Sequence, residues 1–335
     1  MRRTIATFSV VLVAALVLVA AAAAGYNNGG LTPQSSDSPN AHGITQSYLV
    51  IGYVTAAIFV LVEGLLLLFV IRFRRRGRSP LVDGPQIHGS TRLEIMWTVA
   101  PAVLLAAIAA FVLATLPGVQ DVPSANASGG RTDVTVEGHQ FYWLFRYPNG
   151  AISLDELVVP VDKNVKLTVV APAQDVIHSW WVPKLGGKID AIPGRTNHTW
   201  FRAPAIETYP VKCAELCGVQ HAAMKGTVRS VGPDTYRAYV DEQRRLLDSH
   251  SAEFGKQEWD HVCAKCHRLQ GDTLVGPTLG GNPRLQERDS LATLVRNGFG
   301  EMPAVGVNWT DAQIDALVAY TKTLDAEGNA SGGQG

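Results

Sequence analysis

The sequence predicts a multidomain membrane protein in three parts: a transmembrane helical hairpin, an all-β domain and a small all-α domain. Three observations carry this. Two apolar runs, roughly 48–71 and 93–116, flank a loop dense in arginine. From Thr132 to about Tyr236, short β-branched and aromatic runs alternate with proline and glycine breaks. The chain then shows Cys263-Ala264-Lys265-Cys266-His267, followed by helical periodicity over Thr310 to Leu324 at Ile314, Leu317, Val318, Tyr320, Thr321 and Leu324.

At the start, Met1-Arg2-Arg3 precedes an apolar run that ends in Ala22-Ala23-Ala24. Residues 1–25 therefore read either as a secretory signal peptide or as an N-terminal apolar segment, and both readings stand. Residues 26–47, rich in Asn, Gly, Ser and Pro, read as an extracytoplasmic loop. Each run of the hairpin, residues 48–116, is long enough to cross about 30 Å of hydrocarbon as a helix. The loop Arg72-Phe73-Arg74-Arg75-Arg76-Gly77-Arg78 belongs in the cytoplasm by the positive-inside rule, which puts everything after Leu116 outside. Glu63 sits mid-span, where a carboxyl is costly enough to suggest function, or else is protonated and packed on a neighbouring helix. Glu94 opens the second run, where an acidic side chain suits a helix N-terminus.

Residues 131–237 form the predicted β domain. Val134-Thr135-Val136, Leu167-Thr168-Val169-Val170, His198-Thr199-Trp200-Phe201 and Gly226-Thr227-Val228 read as short strands of a sandwich or barrel. About 105 residues suffice for one core. Within it lies Cys213-Ala214-Glu215-Leu216-Cys217-Gly218-Val219-Gln220-His221-Ala222-Ala223-Met224. Thiolate, imidazole and thioether together favour copper, zinc or iron-sulfur centres over calcium or magnesium. A zinc loop and a disulfide are the alternatives. A three-residue spacer suits a disulfide poorly, and such a bond leaves the His and Met spacing without purpose.

Residues 238–252 read as a charged linker whose Asp241-Glu242-Gln243-Arg244-Arg245 suits a solvated helix face, 253–324 as the third domain, and 325–335 as a flexible tail. The Cys-x-x-Cys-His pentapeptide is the pattern by which a c-type haem is attached, through Cys263 and Cys266 with His267 as proximal ligand. Of four methionines, Met1 is the initiator and Met96 lies in an apolar run, which leaves Met224 and Met302 beside the two candidate centres. The four cysteines are likewise consumed as two pairs, with none left for a disulfide. His42, His88, His139, His198, His250 and His261 read as structural or solvent-facing.

The Cys213–Met224 run resembles the binuclear CuA loop of cytochrome c oxidase subunit II, Cys-x-Glu-x-Cys-x-x-x-His-x-x-Met. Asp175-Val176-Ile177-His178-Ser179-Trp180-Trp181 resembles the family's upstream histidine segment. The resemblance implies a cupredoxin-like Greek-key barrel, with thiolates Cys213 and Cys217 bridging two coppers, His178 and His221 each binding one, and Met224 and the Glu215 carbonyl as weak ligands. It also implies that the Glu215 carboxylate reaches a magnesium or manganese ion shared with the catalytic subunit, and that Glu94 lies near the mouth of a proton-uptake path. Gly138-His139-Gln140-Phe141-Tyr142-Trp143 resembles the family's aromatic signature, with Phe141 where a tryptophan normally receives electrons from soluble cytochrome c. Phe141, Tyr142 and Trp143 are thus electron-path candidates, and otherwise core or interface aromatics. Tyr209-Pro210-Val211-Lys212 also departs from the family pattern but removes no ligand.

Leu274-Val275-Gly276-Pro277-Thr278-Leu279 and Asn297-Gly298-Phe299-Gly300-Glu301-Met302-Pro303 resemble segments of a class I cytochrome c domain. There, Pro277 orients the proximal histidine through its carbonyl, and Met302 is the distal ligand. The whole implies the electron-transfer subunit of a proton-pumping haem-copper oxidase in a bacterial-type plasma membrane. Electrons pass from an external donor such as a cytochrome, by haem c and CuA, to the catalytic subunit I that reduces oxygen to water. The other oxidase subunits and membrane lipid are further partners. The alternatives, a CuA protein of a nitrous oxide reductase-like system and a structural quinol-oxidase-type subunit II, fit less well. Two close membrane runs and a C-terminal haem motif oppose the first, and the intact ligand set opposes the second. Formal charge is zero, from 29 basic and 29 acidic residues, which gives no support to nucleic-acid binding. Residues 253–324 hold seven basic and nine acidic residues, so no basic docking face shows in net charge. A tethered donor needs none, because linkage alone gives it an effective concentration near millimolar.

Overall fold

The structure, a computed structural model, describes residues 35–74, 86, 88–124 and 130–331. The apolar segment at 1–25 and Arg75, Arg76 and Arg78 of the basic loop lie outside the described residues. The chain divides into two compact units, one within residues 42–119 and the other taking in residues 37–41 and those from 120 onward.

The first unit is built on two helices, α1 (Pro39–Arg72) and α2 (Thr91–Gln120). At 1.5 Å per residue each is long enough to cross a bilayer core, and their mean hydropathies of 2.7 and 2.5 suit that environment. Leu61, Val70, Val103, Leu105 and Leu113 are all exposed, as lipid- or partner-facing side chains must be. Helix α1 begins nine residues before the predicted run at Tyr48, so the segment expected as loop to residue 47 is helical from Pro39. Proline at the first helical position has its φ pre-set and loses no bonded N–H. Arg72 closes α1 and Glu94 lies in the first turn of α2, both placed to suit the helix dipole. Glu63 is exposed midway along α1.

The second unit contains two five-stranded sheets. One runs β3 (Ile152–Leu154), β2 (Tyr142–Arg146), β1 (Arg131–His139), β5 (Asn164–Val170), β8 (Asn197–Arg202). The other runs β4 (Glu156–Pro160), β10 (Lys225–Val231), β9 (Thr208–Cys213), β6 (His178–Trp181), β7 (Ile189–Ala191). Each sheet mixes one parallel pair, β1 with β5 or β10 with β4, among antiparallel ones. Non-sequential neighbours of this kind give the Greek-key connections of a cupredoxin-like barrel. Trp143, Phe145, Leu157, Leu167, Trp180 and Val228 fill the space between the sheets.

Helix α3 (Pro233–Asp248) leads from the barrel into α4 (Ala252–His261), α5 (Arg288–Asn297) and α6 (Asp311–Ser331). Residues 238–252, expected as a linker, are helical to Asp248 and lead directly into the next helix. Val240, Gln243, Leu246 and Leu247 are buried at helical spacing, and the Arg244 guanidinium donates to the Gly150 carbonyl at 3.2 Å. Asp241, Arg244 and Arg245 stay exposed on the same helix. Ser251 caps α4 by accepting from the Phe254 amide at 3.1 Å. The segment expected as a tail from 325 continues α6 as far as Ser331.

Strand β2 is buried on both faces. Trp143 and Phe145 point into the barrel core, while Tyr142 and Leu144, with Ile152 and Leu154 of β3, join Leu246, Phe254, Trp259 and Ile314 in a second core. A half-exposed strand alternates apolar and polar residues; Phe141 to Phe145 is apolar throughout because it has no solvent face.

Candidate metal centres

The first centre lies where β6, β9 and β10 converge. Trp180 of β6 pairs with Cys213 at the end of β9, and the Ala214 amide donates to the Ser179 carbonyl at 2.8 Å. The chain then turns through a short 3-10 segment, His221–Ala223, and rejoins β10 where Lys225 pairs with Lys212. The Cys213–Met224 loop is thus closed at its base by a strand pair, and the Cys213 amide donates to the Met224 carbonyl at 3.2 Å.

Closure brings the donors together. The Cys213 and Cys217 sulfurs are 3.8 Å apart, Cys217 Sγ lies 3.5 Å from His221 Nδ1 and 3.8 Å from Met224 Sδ, and Cys213 Sγ lies 3.2 Å from the Glu215 carbonyl. One donor atom each of His178, Cys213 and Cys217 falls within 4.8 Å of the others. Cys213, Cys217, Met224 and His178 are buried, whereas the Glu215 side chain is exposed. The backbone of Glu215 faces inward while its carboxylate is free for another partner. No other group of three or more His, Cys, Asp or Glu donors converges among the described residues.

His178 is fixed from one side. Its Nε2 lies 2.9 Å from Asp175 Oδ1, and Asp175 Oδ2 accepts from the Gln140 amide at 3.2 Å. The other ring nitrogen, Nδ1, is buried with no hydrogen-bond partner, the arrangement of an imidazole oriented for a metal by a carboxylate behind it. Burial lowers the affinity of His178 for a proton, but Asp175 and Cys213 outweigh it and the net shift is upward. The hydrogen bond from Cys217 holds Cys213 far down, at about 3, and the same pairing pushes Cys217 up. Their pairing favours the thiolate at Cys213 and leaves the proton on Cys217. A cation between them would release it, since thiolates are the ligating form. The donor set and the orphaned imidazole nitrogen both fit a soft transition metal. Both cysteines are free, and 3.8 Å is far beyond a sulfur-sulfur bond.

The second centre follows α4. The turn Cys263–Lys265 is a 3-10 segment, and the His267 amide donates to the Cys263 carbonyl at 2.8 Å, which sets both cysteines and the imidazole along one tight turn. His267 Nδ1 donates to the Pro277 carbonyl at 2.8 Å and so leaves Nε2 for a metal. Gly276 makes that approach possible: a Cβ there would meet His267 Cε1 at 2.3 Å. Met302 sits in a loop pinned by reciprocal Phe299–Met302 backbone bonds of 3.0 and 3.1 Å. Leu274 and Val275, in the segment bonded to Cys266, and Phe299, in the Met302 loop, are exposed to 45%, 54% and 71%. Two thiols on one turn, an imidazole with Nε2 left free and these exposed apolar side chains suit a planar apolar macrocycle.

The three aromatic candidates all lie inside. Phe141, Tyr142 and Trp143 are buried, and the Trp143 ring stands edge-on to His178 with centroids 6.2 Å apart. Phe141 is therefore no surface contact for a soluble donor in this chain. Gln140, Lys265 and Asp155 do not stand out in the sequence because each acts through residues distant in the chain, and Asp175 does not because its role depends on how strand β6 orients the neighbouring His178. The unbroken apolar run of β2 was the available signal for a second packed face.

Comparison with known proteins follows the same division of the chain. Residues 26–115 match the family described as cytochrome C oxidase subunit II, transmembrane domain, and residues 152–231 match cytochrome C oxidase subunit II, periplasmic domain. Residues 250–320 match cytochrome C oxidase, cbb3-type, subunit III. Cytochrome c oxidase subunit 2 of Alkalihalophilus pseudofirmus is 30% identical over 316 residues, 88% of this chain and 91% of that protein. The protein of the same name from Cereibacter sphaeroides is 34% identical over 258 residues, 64% of this chain and 81% of that one. Among solved structures, the periplasmic domain of subunit II of cytochrome oxidase (CoxB) of Bradyrhizobium japonicum is similar at 33% identity, with a TM-score of 0.34 over 37% of this chain and 97% of that one.

Proposed function

The chain belongs to the cytochrome c oxidase subunit II family and carries a C-terminal cytochrome c domain, and from that premise we propose that it conveys electrons from an external reductant, by its own haem c and CuA, to the catalytic subunit of its oxidase. It is a membrane protein with a periplasmic domain, and its part in the oxidoreductase is electron transfer. The reduction of oxygen and the pumping of protons belong to the catalytic subunit. Both α1 and α2 cross the membrane in this reading.

When bound, a haem c and a binuclear CuA centre supply the one-electron steps. His178, Cys213, Cys217, His221, Met224 and the Glu215 carbonyl hold the copper pair, and Cys263, Cys266, His267 and Met302 hold the haem. Asp175 orients His178 and Pro277 orients His267. Burial of the sulfurs keeps water from the copper ligands, which limits reorganisation around them. Leu216 and Val219, 79% and 84% exposed on the copper loop, form an apolar rim suited to the catalytic subunit. Glu215 projects from the same loop, where its carboxylate serves a magnesium or manganese ion whose other ligands come from the partner. Glu94 serves proton uptake from the start of α2.

The observation that carries this reading is the buried convergence of His178, Cys213 and Cys217 within the same compact unit as the Cys-x-x-Cys-His turn. Metal analysis with optical and EPR spectra tests it. Roughly two coppers and one haem iron per chain are expected, with a delocalised copper signal. Protein that takes up no copper on reconstitution overturns it.

A further inference from the structure

Strand β2 and the turn before it touch both candidate centres. On the copper side, Gln140 Nε2 donates to the Cys217 carbonyl at 2.6 Å, and the Gly218 backbone lies against the Gln140 and Phe141 side chains. Gly218 has φ +132°, and a Cβ there would come within 3.0 Å of both, so the copper loop fits this turn only without a side chain. On the haem side, Lys265, inside the Cys-x-x-Cys-His turn itself, donates to the Phe141 carbonyl at 2.9 Å and to Asp155 at 2.5 Å. Tyr142 completes the junction. Its hydroxyl donates to the Val305 carbonyl at 2.7 Å, three residues past Met302, and accepts from Trp309 Nε1 at 2.9 Å.

We propose that Gln140–Tyr142 is a docking and coupling segment, which locks the haem-attachment turn and the methionine loop onto the copper loop and provides the covalent and hydrogen-bonded connection between the two centres. This rests on the functional reading above. The connection runs from the Cys-x-x-Cys-His turn through the Lys265 ammonium to the Phe141 carbonyl, along the peptide to Gln140, and through its amide to the Cys217 carbonyl. One electron leaves a ferrous haem, which becomes ferric, and one reduces the copper pair. No proton crosses, because Tyr142 is buried with its hydroxyl pushed well above its ordinary range and retains its hydrogen. The replacement of the family's surface tryptophan by Phe141 follows: the position is covered, 6% exposed, and its carbonyl serves an internal donor.

The test uses the full chain in detergent with Lys265→Met and Tyr142→Phe, each read in two ways. Hydrogen exchange on the haem- and copper-loaded protein reports docking; laser-induced haem reduction on the same protein reports the haem-to-copper transfer rate. Both variants should retain the wild-type copper content, haem content and reduction potentials. Amides of 140–143 and 302–309 should lose protection together, and transfer should slow about tenfold, the factor for about 1.4 kcal/mol of docking free energy. Wild-type protection and rate in both variants overturn the proposal. If Lys265→Met does not load haem, Tyr142→Phe, which loses one hydroxyl, decides alone. Absence of haem-to-copper transfer in the wild-type protein would overturn the functional reading instead, and joint loss of protection would still support the dock.

Discussion

Around the copper loop the protein surrounds most of its donors: Cys213, Cys217, His178 and Met224 are buried, with His221 half-buried, and hydrogen bonds to Asp175 and between the strand ends fix them. Around the haem turn it does not. Cys263, Cys266, His267 and Met302 are each half-buried, and Leu274, Val275 and Phe299 stand open. The difference follows from the size of the guest. A metal ion occupies little volume, so the barrel completes its own packing and leaves only polar preferences unsatisfied. A macrocycle is as large as several side chains, so the helical domain is built with part of its core supplied from outside.

That contrast is broken or sharpened by measuring each domain without its guest. Replacing both Cys263 and Cys266 by serine should have the largest effect. With Leu274, Val275 and Phe299 uncovered at ~1.5–3 kcal/mol each, the helical domain should lose on the order of 5 kcal/mol. Exchange over residues 253–324 reads this directly, and native protection there in the haem-free variant would refute the contrast.

Glu137 comes next, on the barrel side. Burial raises its pKa, but hydrogen bonds from His139 and Arg146 overcome that and hold it at about 2. A depressed carboxylate stabilises above its unfolded value near 4.5, and the contribution is lost as pH falls through about 2. Glu137→Gln should therefore cost roughly 3 kcal/mol at pH 7, at 1.36 kcal/mol per pH unit. The gap to wild type should close between about pH 5 and 2 in denaturant titrations. Glu258 of the helical domain has the opposite sign. Burial holds its pKa well up, so its contribution is present below its unfolded value and is lost as pH rises. Glu258→Gln should thus gain stability relative to wild type in alkaline solution, measured the same way.

Gly276→Ala should cost about 1–3 kcal/mol, because the new methyl overlaps the His267 ring and one of them must move. Its haem spectrum should show altered axial ligation, and an unchanged methionine-to-iron band would count against the stated role of Gly276. Cys217→Ser should have the smallest effect on folding, about 1 kcal/mol or less by thermal melting, while abolishing copper uptake. A barrel that melts as badly as the haem-free helical domain would erase the distinction between the two centres.

Local spacing made much of both centres legible. Cys213, Cys217, His221 and Met224 share one short loop, and Cys263, Cys266 and His267 share one turn, so their chemistry is written in consecutive residues. His178 needed the family resemblance, since only the pairing of β6 with β9 brings it near. Asp155 and Lys265 are illegible because their partners lie 110 and 124 residues away and depend on domain docking, whereas Asp175 is only 3 residues from His178 and its role depends on the ring orientation that β6 imposes. The charges of helix α3 mark its solvated face, where Asp241, Arg244 and Arg245 are exposed, but they draw the eye from Val240, Leu246 and Leu247, which recur at the spacing of a buried stripe. The aromatic run at β2 was recognised as a motif, but its two-sided burial reflects a domain that follows it by a hundred residues.

Because β2 carries one core on each face, the two domains cannot be separated cleanly. A chain cut before α3 would turn Tyr142, Leu144, Ile152 and Leu154 toward water and present a sticky, edge-bearing sheet to its neighbours. The order of synthesis makes this a matter of quality control as well as geometry. The barrel emerges first and offers that surface until the helical domain closes over it, so a nascent chain held back from haem attachment should be the species that chaperones retain and proteases remove.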